Sequence, residues 1–172
     1  MSNLRPGAVL WKGNPTDLAG PEIKQGDSAP VAFNLVANDM SAVSGADLSG
    51  KKRILSALPS IDTPICDTET RRFNQEAASI PGVEVVTVSM DLPFAQKRWC
   101  AAAGIDRVRT LSDYRERSFG TAYGVFSPAK GLLARAVFVI GSDDKVAYVE
   151  YVKEVGSEPD YKKAIDAARG LK

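Results

Sequence analysis

The chain has 172 residues, one ordinary domain's worth, and its 44% hydrophobic and 25% charged content excludes a disordered or collagen-like polymer. Lys and Arg total 22 against 21 Asp and Glu, a formal charge of +1 with no polybasic run, which argues against nucleic acid as a partner. There is no histidine and there are only two cysteines, so Ser-His-Asp and Cys-His catalysis, His-based metal sites and four-cysteine zinc sites are excluded. Any chemistry must use Cys, Arg, Lys, Ser, Thr, Tyr or carboxylates.

The N-terminal region has no apolar run longer than Ala8-Val9-Leu10-Trp11, and Pro6, Pro15, Pro21 and Pro30 punctuate it. Neither a signal peptide nor a spanning helix of roughly twenty apolar residues fits, so a soluble, cytoplasmic protein with no membrane partner is expected. In a reducing cytosol two cysteines are poor material for a permanent staple; they are buried passengers or redox-active thiols.

Residues 7–20 alternate around Gly13-Asn14 and predict an N-terminal β-hairpin. Residues 21–50, rich in Gly, Pro, Asp and Ser, offer one short apolar stretch, Val31 to Val36. Ile54-Leu55-Ser56-Ala57-Leu58, ended by Pro59, reads as a buried strand. Residues 64–79 read as a helix stopped near Pro81-Gly82, and Val83 to Met90 is β-branched enough to be a strand. Pro93 to Ala103 reads as a helix closed by Gly104, Thr110-Leu111 as a short strand, and Arg115 to Tyr123 as a short helix.

Ala134 to Ile140 and Val146 to Val152 form an antiparallel hairpin about Gly141–Lys145. Ser157 and Asp160 have the spacing of a capping box for a last helix that places Tyr161, Ile165 and Ala168 on one face. A βαβ unit followed by a hairpin and a helix makes an α/β domain, with a mixed central sheet flanked by helices on both faces. One domain over residues 1–172 is expected, with residues 1–20 as a hairpin extension.

Two motifs fail. Gly45-Ala46-Asp47-Leu48-Ser49-Gly50-Lys51 has phosphate-loop spacing, but Lys52 replaces the required Ser or Thr and the segment precedes a strand. Asp143-Asp144 falls in the expected hairpin turn and reads as turn chemistry.

The informative segment is Pro59-Ser60-Ile61-Asp62-Thr63-Pro64-Ile65-Cys66, where a strand hands over to a helix. Proline favours the first helical position, so Thr63 becomes the N-cap and Cys66 the third helical residue. A thiol there feels the positive helix end, which favours the nucleophilic thiolate. Asp62, Asp67 and Glu69 oppose a second negative charge, so a cation is needed. Arg71 and Arg72 point partly to solvent. Arg135, opening the apolar run 136–140, is the better candidate if its strand lies beside that of Cys66.

Taken singly, each of these residues has an ordinary structural use: an inert thiol, a helix cap, an ion pair at a strand end. Cys100, near the end of the second helix, reads as packing when taken alone. It could bridge Cys66 only if the Cα atoms came within about 7 Å, which demands local unwinding.

Pro59-x-x-x-Thr63-x-x-Cys66 resembles the active-site pattern of the peroxiredoxins. The blocks Pro-Ser-Ile-Asp-Thr (59–63), Asp-Leu-Pro-Phe-Ala-Gln (91–96) and Gly-Leu-Leu-Ala-Arg-Ala (131–136) resemble the bacterial thiol peroxidase branch, the atypical two-cysteine peroxiredoxins. The resemblance runs from about Gly7 to Tyr161. It departs at Ala57-Leu58, where the family often has an aromatic residue before the proline, and in a shorter segment from Phe126 to Lys130.

The resemblance implies a thioredoxin-like fold and reduction of hydrogen peroxide and organic hydroperoxides. Cys66 takes the peroxidatic position and Cys100 the resolving one, giving an intrachain disulfide. Thr63 and Arg135 orient and polarise the peroxide, and Pro59 shields the sulfur. It further implies thioredoxin as reductant, a homodimer, and no metal, haem, flavin or nicotinamide cofactor. Alternatives remain at this point: a disulfide oxidoreductase or relay, for which Cys-x-x-Cys is missing, a sensor, and a binding module with passenger cysteines.

Overall fold

The computed structural model describes residues 3–77 and 79–172. A seven-stranded mixed sheet forms its centre. The parallel core is β5 (Arg53–Ala57), β6 (Glu84–Ser89) and β7 (Val108–Ser112), joined by α2 (Pro64–Ala77) and α3 (Pro93–Ala103). All five residues of β5 are buried, as expected for a strand covered on both faces. On one side β10 (Ala136–Ile140) and β11 (Val146–Tyr151) extend the sheet antiparallel. On the other side β3 (Asn34–Ala37) pairs with β7 and with β4 (Ala42–Ser44).

Alternate residues serve opposite faces, as the two-residue strand period requires. Ile54, Val137 and Val139 pack with Phe73 of α2 and with Tyr161, Ala164, Ile165 and Ala168 of α5 (Tyr161–Arg169). Leu55, Ala136 and Phe138 pack on the other face, with Phe33, Phe119 and Tyr123. Phe119 belongs to α4 (Ser118–Ala122), which is shorter than the helix expected from Arg115 to Tyr123. The expected mixed sheet with helices on both faces is therefore present.

Residues 4–19 form β1 (Leu4–Trp11) and β2 (Asn14–Ala19), which share a second sheet with β8 (Phe126–Ser127) and β9 (Leu132–Leu133). The turn is Lys12-Gly13, one residue earlier than Gly13-Asn14. Both residues have positive φ, 50° and 77°, the pairing that matches the twist of a two-residue hairpin.

Residues 21–50, read as offering one short apolar stretch at Val31 to Val36, contain the two short strands β3 and β4 and α1 (Gly45–Leu48). Ser44 and Asp47 cap α1 reciprocally, so the phosphate-loop look-alike is a single helical turn. The capping box expected at Ser157 and Asp160 is not formed. Asp160 is itself the N-cap and accepts from Lys163 N, while its own N–H donates to Glu150 Oε1 at 2.8 Å. Asp144 sits in the hairpin turn with φ 59°, and its carboxylate also pairs at 2.8 Å with the buried Arg53. Among the described residues no helix is long and apolar enough to cross a membrane.

Candidate active site

The site is assembled where β5 ends. Leu58 N donates to Val88 O at 3.1 Å, continuing the parallel pairing one step beyond the strand. The following loop is pinned by Asp91, whose carboxylate accepts from Ser60 Oγ at 2.7 Å and Ile61 N at 2.9 Å. Thr63 then opens α2. Its Oγ1 donates to Ser60 O at 3.1 Å and accepts from Cys66 N at 3.4 Å, and Pro64 is the first helical residue. This is the N-cap geometry expected from the sequence. Cys66 is fully buried beside Leu58, Ile61 and Trp99.

Arg135 reaches the sulfur because β10 pairs with β5 in a register that sets Ala136 opposite Ala57. The residue before Ala136 therefore stands at the end of β5, where the loop to Cys66 departs. Arg135 is 2% exposed, and each nitrogen of its guanidinium has a partner. Nη2 donates to Cys66 Sγ at 3.2 Å, Nε donates to Val155 O at 2.9 Å, and Nη1 pairs with the Glu69 carboxylate.

Glu69 is also fully buried and accepts from Ser56 Oγ at 2.7 Å. Burial pushes its carboxyl above the usual range, against the pull of Arg135 and Ser56. Burial likewise disfavours the Arg135 charge, but Glu69 and the Cys66 sulfur outweigh it and hold the guanidinium above its ordinary value. One cation thus serves two acceptors, a carboxylate and a sulfur.

Of the carboxylates anticipated as opposing a charge on Cys66, Asp67 has partners of its own. Asp67 accepts from Arg71 Nε and from Trp99 Nε1, each at 3.0 Å. Arg71 and Arg72 are about half exposed, in line with their reading as partly solvated.

A pocket of about 200 Å³ opens at the site, lined by Pro59, Thr63 and Arg135 together with Trp11, Lys12 and Glu154. Four of the five expected site residues therefore gather in one place. Cys100 stands apart, in the last turn of α3. It is half-buried with Sγ 3.4 Å from Thr110 Oγ1, and both cysteines are free thiols. A larger groove of about 550 Å³ runs beside Cys100, between Asn38 and Arg109, and does not include Cys66. The two helices meet through Trp99, which touches the Cys66 cluster and precedes Cys100.

Residues 24–165 match the family model described as Redoxin. A thiol peroxidase of Halalkalibacterium halodurans is 58% identical over 162 residues, covering 94% of this chain and 97% of the relative. The chain belongs to the Redoxin family and, within it, to the thiol peroxidases. A thiol peroxidase of Bacillus subtilis is 52% identical over 163 residues, covering 95% of this chain and 97% of the relative. Among solved structures, a peroxiredoxin-like protein from Aquifex aeolicus superposes with a TM-score of 0.87 at 44% identity, covering 96% of this chain and 98% of that one. The fold is the thioredoxin-like fold of the peroxiredoxins.

Sequence reasoning missed several residues of this Redoxin site. Glu69 appeared only as an unfavourable neighbour of Cys66, whereas it is the buried partner of Arg135. Its signal was Ser56, a polar residue inside an otherwise apolar strand, which donates to it. Trp11, Lys12, Glu154 and Val155 come from distant segments and carry no local motif.

Proposed function

We propose that this chain reduces hydroperoxides with Cys66 as the attacking thiolate. The observation that carries the reading is the Arg135 Nη2 to Cys66 Sγ contact of 3.2 Å at the capped start of α2. Cys66 S⁻ attacks one oxygen of ROOH. The O–O bond breaks, Cys66 becomes a sulfenic acid, and the leaving alkoxide takes a proton to become ROH, or water when the substrate is hydrogen peroxide. Arg135 and the helix N-terminus are preorganised donors for the charge that shifts toward the leaving oxygen. Thr63 orients the peroxide, and Pro59 walls the sulfur from bulk water.

Cys100 S–H then condenses with the sulfenic acid, forming the Cys66–Cys100 disulfide and releasing water. Attack by a dithiol protein of the thioredoxin type reduces the bridge by exchange and returns both thiols. Recycling of this kind belongs in a reducing compartment, which supports a cytoplasmic location. We further read the chain as one domain over residues 1–172 and as a homodimer, for which the exposed Leu92 and Phe94 offer apolar surface. No cofactor is required by these steps.

The test is turnover of hydrogen peroxide and cumene hydroperoxide with a thioredoxin system. Cys66→Ser is expected to abolish turnover, and Cys100→Ser to permit a single peroxide reduction without recycling. Retained turnover in Cys66→Ser would overturn the reading.

A further inference from the structure

The hairpin of residues 4–19 lies far in sequence from Arg135, yet hydrogen bonds run continuously from its turn to the guanidinium. Lys12 N and Gly13 N donate to the two carboxylate oxygens of Glu154, each at 3.0 Å. On either side of Glu154 the backbone is paired with the hairpin, Leu10 N to Lys153 O at 2.7 Å and Val155 N to Leu10 O at 2.9 Å. The Val155 side chain packs with Val9 and Leu18 of the same hairpin. Its carbonyl, on the opposite side of the peptide, accepts from Arg135 Nε at 2.9 Å.

We propose that Glu154 is a positioning residue for Arg135, and that the N-terminal hairpin is through it a working part of the peroxide site. The Gly13 amide, helped by those of Gly156 and Lys12, outweighs the opposing effect of burial and holds the Glu154 carboxyl below its usual range, so the clasp is an anion at neutral pH. Two positive-φ residues in the turn aim successive amides at one side chain, which an ordinary strand would not do. Clasping the turn fixes residues 153–156, and those residues fix the Nε end of the guanidinium. Glu69 and Cys66 take the other two nitrogens. Without the Nε anchor, Nη2 is free to drift from the sulfur while the Glu69 pair persists.

The inference rests on the roles given above to Cys66 and Arg135. Its test is a double-mutant cycle on the full chain, reading the second-order rate constant of the reduced protein with hydrogen peroxide. Glu154→Ala is expected to slow the reaction about tenfold in the native background, as small misplacements of reacting groups do, and less than about twofold in an Arg135→Met background. Glu154→Gln, which keeps one acceptor oxygen and the side-chain volume, is expected to fall between native and alanine.

Asp17→Ala removes a hairpin contact remote from Arg135, the Asp17 Oδ1 to Gly7 N bond of 2.8 Å, and is expected to leave the rate unchanged. Equal slowing by Glu154→Ala in both backgrounds, no slowing at all, or matching slowing by Asp17→Ala would overturn the proposal. Failure of the underlying function shows differently, as an unmodified protein that does not consume peroxide, or an Arg135→Met variant as fast as it.

Discussion

Arg135 Nη2 stands 3.2 Å from Cys66 Sγ although 69 residues separate them in the chain. Strand register produces the meeting: Ala136 opposite Ala57 brings the start of β10 to the end of β5, and the capped turn of α2 carries the sulfur back over that point. The same guanidinium is locked to Glu69, so cation, carboxylate and thiol form one buried unit.

That unit separates rate from stability. Arg135→Met is expected to slow peroxide attack by roughly 10²-fold, the usual cost of losing one preorganised donor. It also strands Glu69 as a buried carboxylate with only Ser56 beside it, at a cost of about 3–5 kcal/mol. Adding Glu69→Gln to Arg135→Met is expected to restore most of the unfolding free energy and none of the rate. Stopped-flow kinetics and urea denaturation on the three proteins check both halves.

Thr63 both caps α2 and lines the pocket, through one oxygen. Thr63→Val keeps the shape and loses the acceptor, so a loss of about 1 kcal/mol in stability and a slower peroxide reaction are expected together. Thr63→Ser keeps the oxygen and is expected to retain both. A valine variant with native kinetics would remove Thr63 from the chemistry and leave it as a cap.

Asp113 gives stability a pH dependence unconnected with catalysis. It is fully buried, and burial pushes its carboxyl up to about 6 from 3.8, against bonds from Gly120 N and Phe119 N. Between those values the folded chain binds more protons than the unfolded chain, so its contribution falls as pH rises through this window. The full change is about 3 kcal/mol, complete above pH 6. Asp113→Asn is expected to remove this slope in denaturation curves taken at pH 4, 5, 6 and 7.

The proposed bridge between Cys66 and Cys100 would require motion. Cys66 is buried in the first turn of α2, and Cys100 sits in the last turn of α3 against Thr110. The Trp99–Asp67 and Arg71–Asp67 bonds hold these turns in place. On oxidation, faster amide hydrogen exchange is expected over residues 62–68 and 98–104, with little change in β5, β6 and β10. The indole fluorescence of Trp99 should change in the same step. Uniform protection in both redox states would contradict a bridge made by local unwinding.

The sequence already showed most of this site where one short segment carries its own geometry. The positions of Thr63, Pro64 and Cys66 follow from helix-start preferences, whereas Pro59 marked only a strand end until the resemblance to the peroxiredoxins brought it into the site. Arg135 was legible as a cation where a strand turns fully apolar. Its partners were not, because Glu69 and Val155 meet it only through sheet register and loop return. β3 and β4 escaped notice for a related reason: they are three or four residues long, too short to show a period. At Asp160 the spacing to Ser157 imitated a capping box, but Pro159 and Glu150 leave Asp160 as the cap. Asp144 read as turn chemistry because its partner, Arg53, lies 91 residues away.

The most direct measurement is the intact mass of the fully reduced, folded protein after one equivalent of cumene hydroperoxide, with peptide mapping. The account predicts loss of two hydrogens, located to a bridge between the Cys66 and Cys100 peptides. An unchanged mass, or an oxygen retained on Cys66 while Cys100 stays a free thiol, would contradict it.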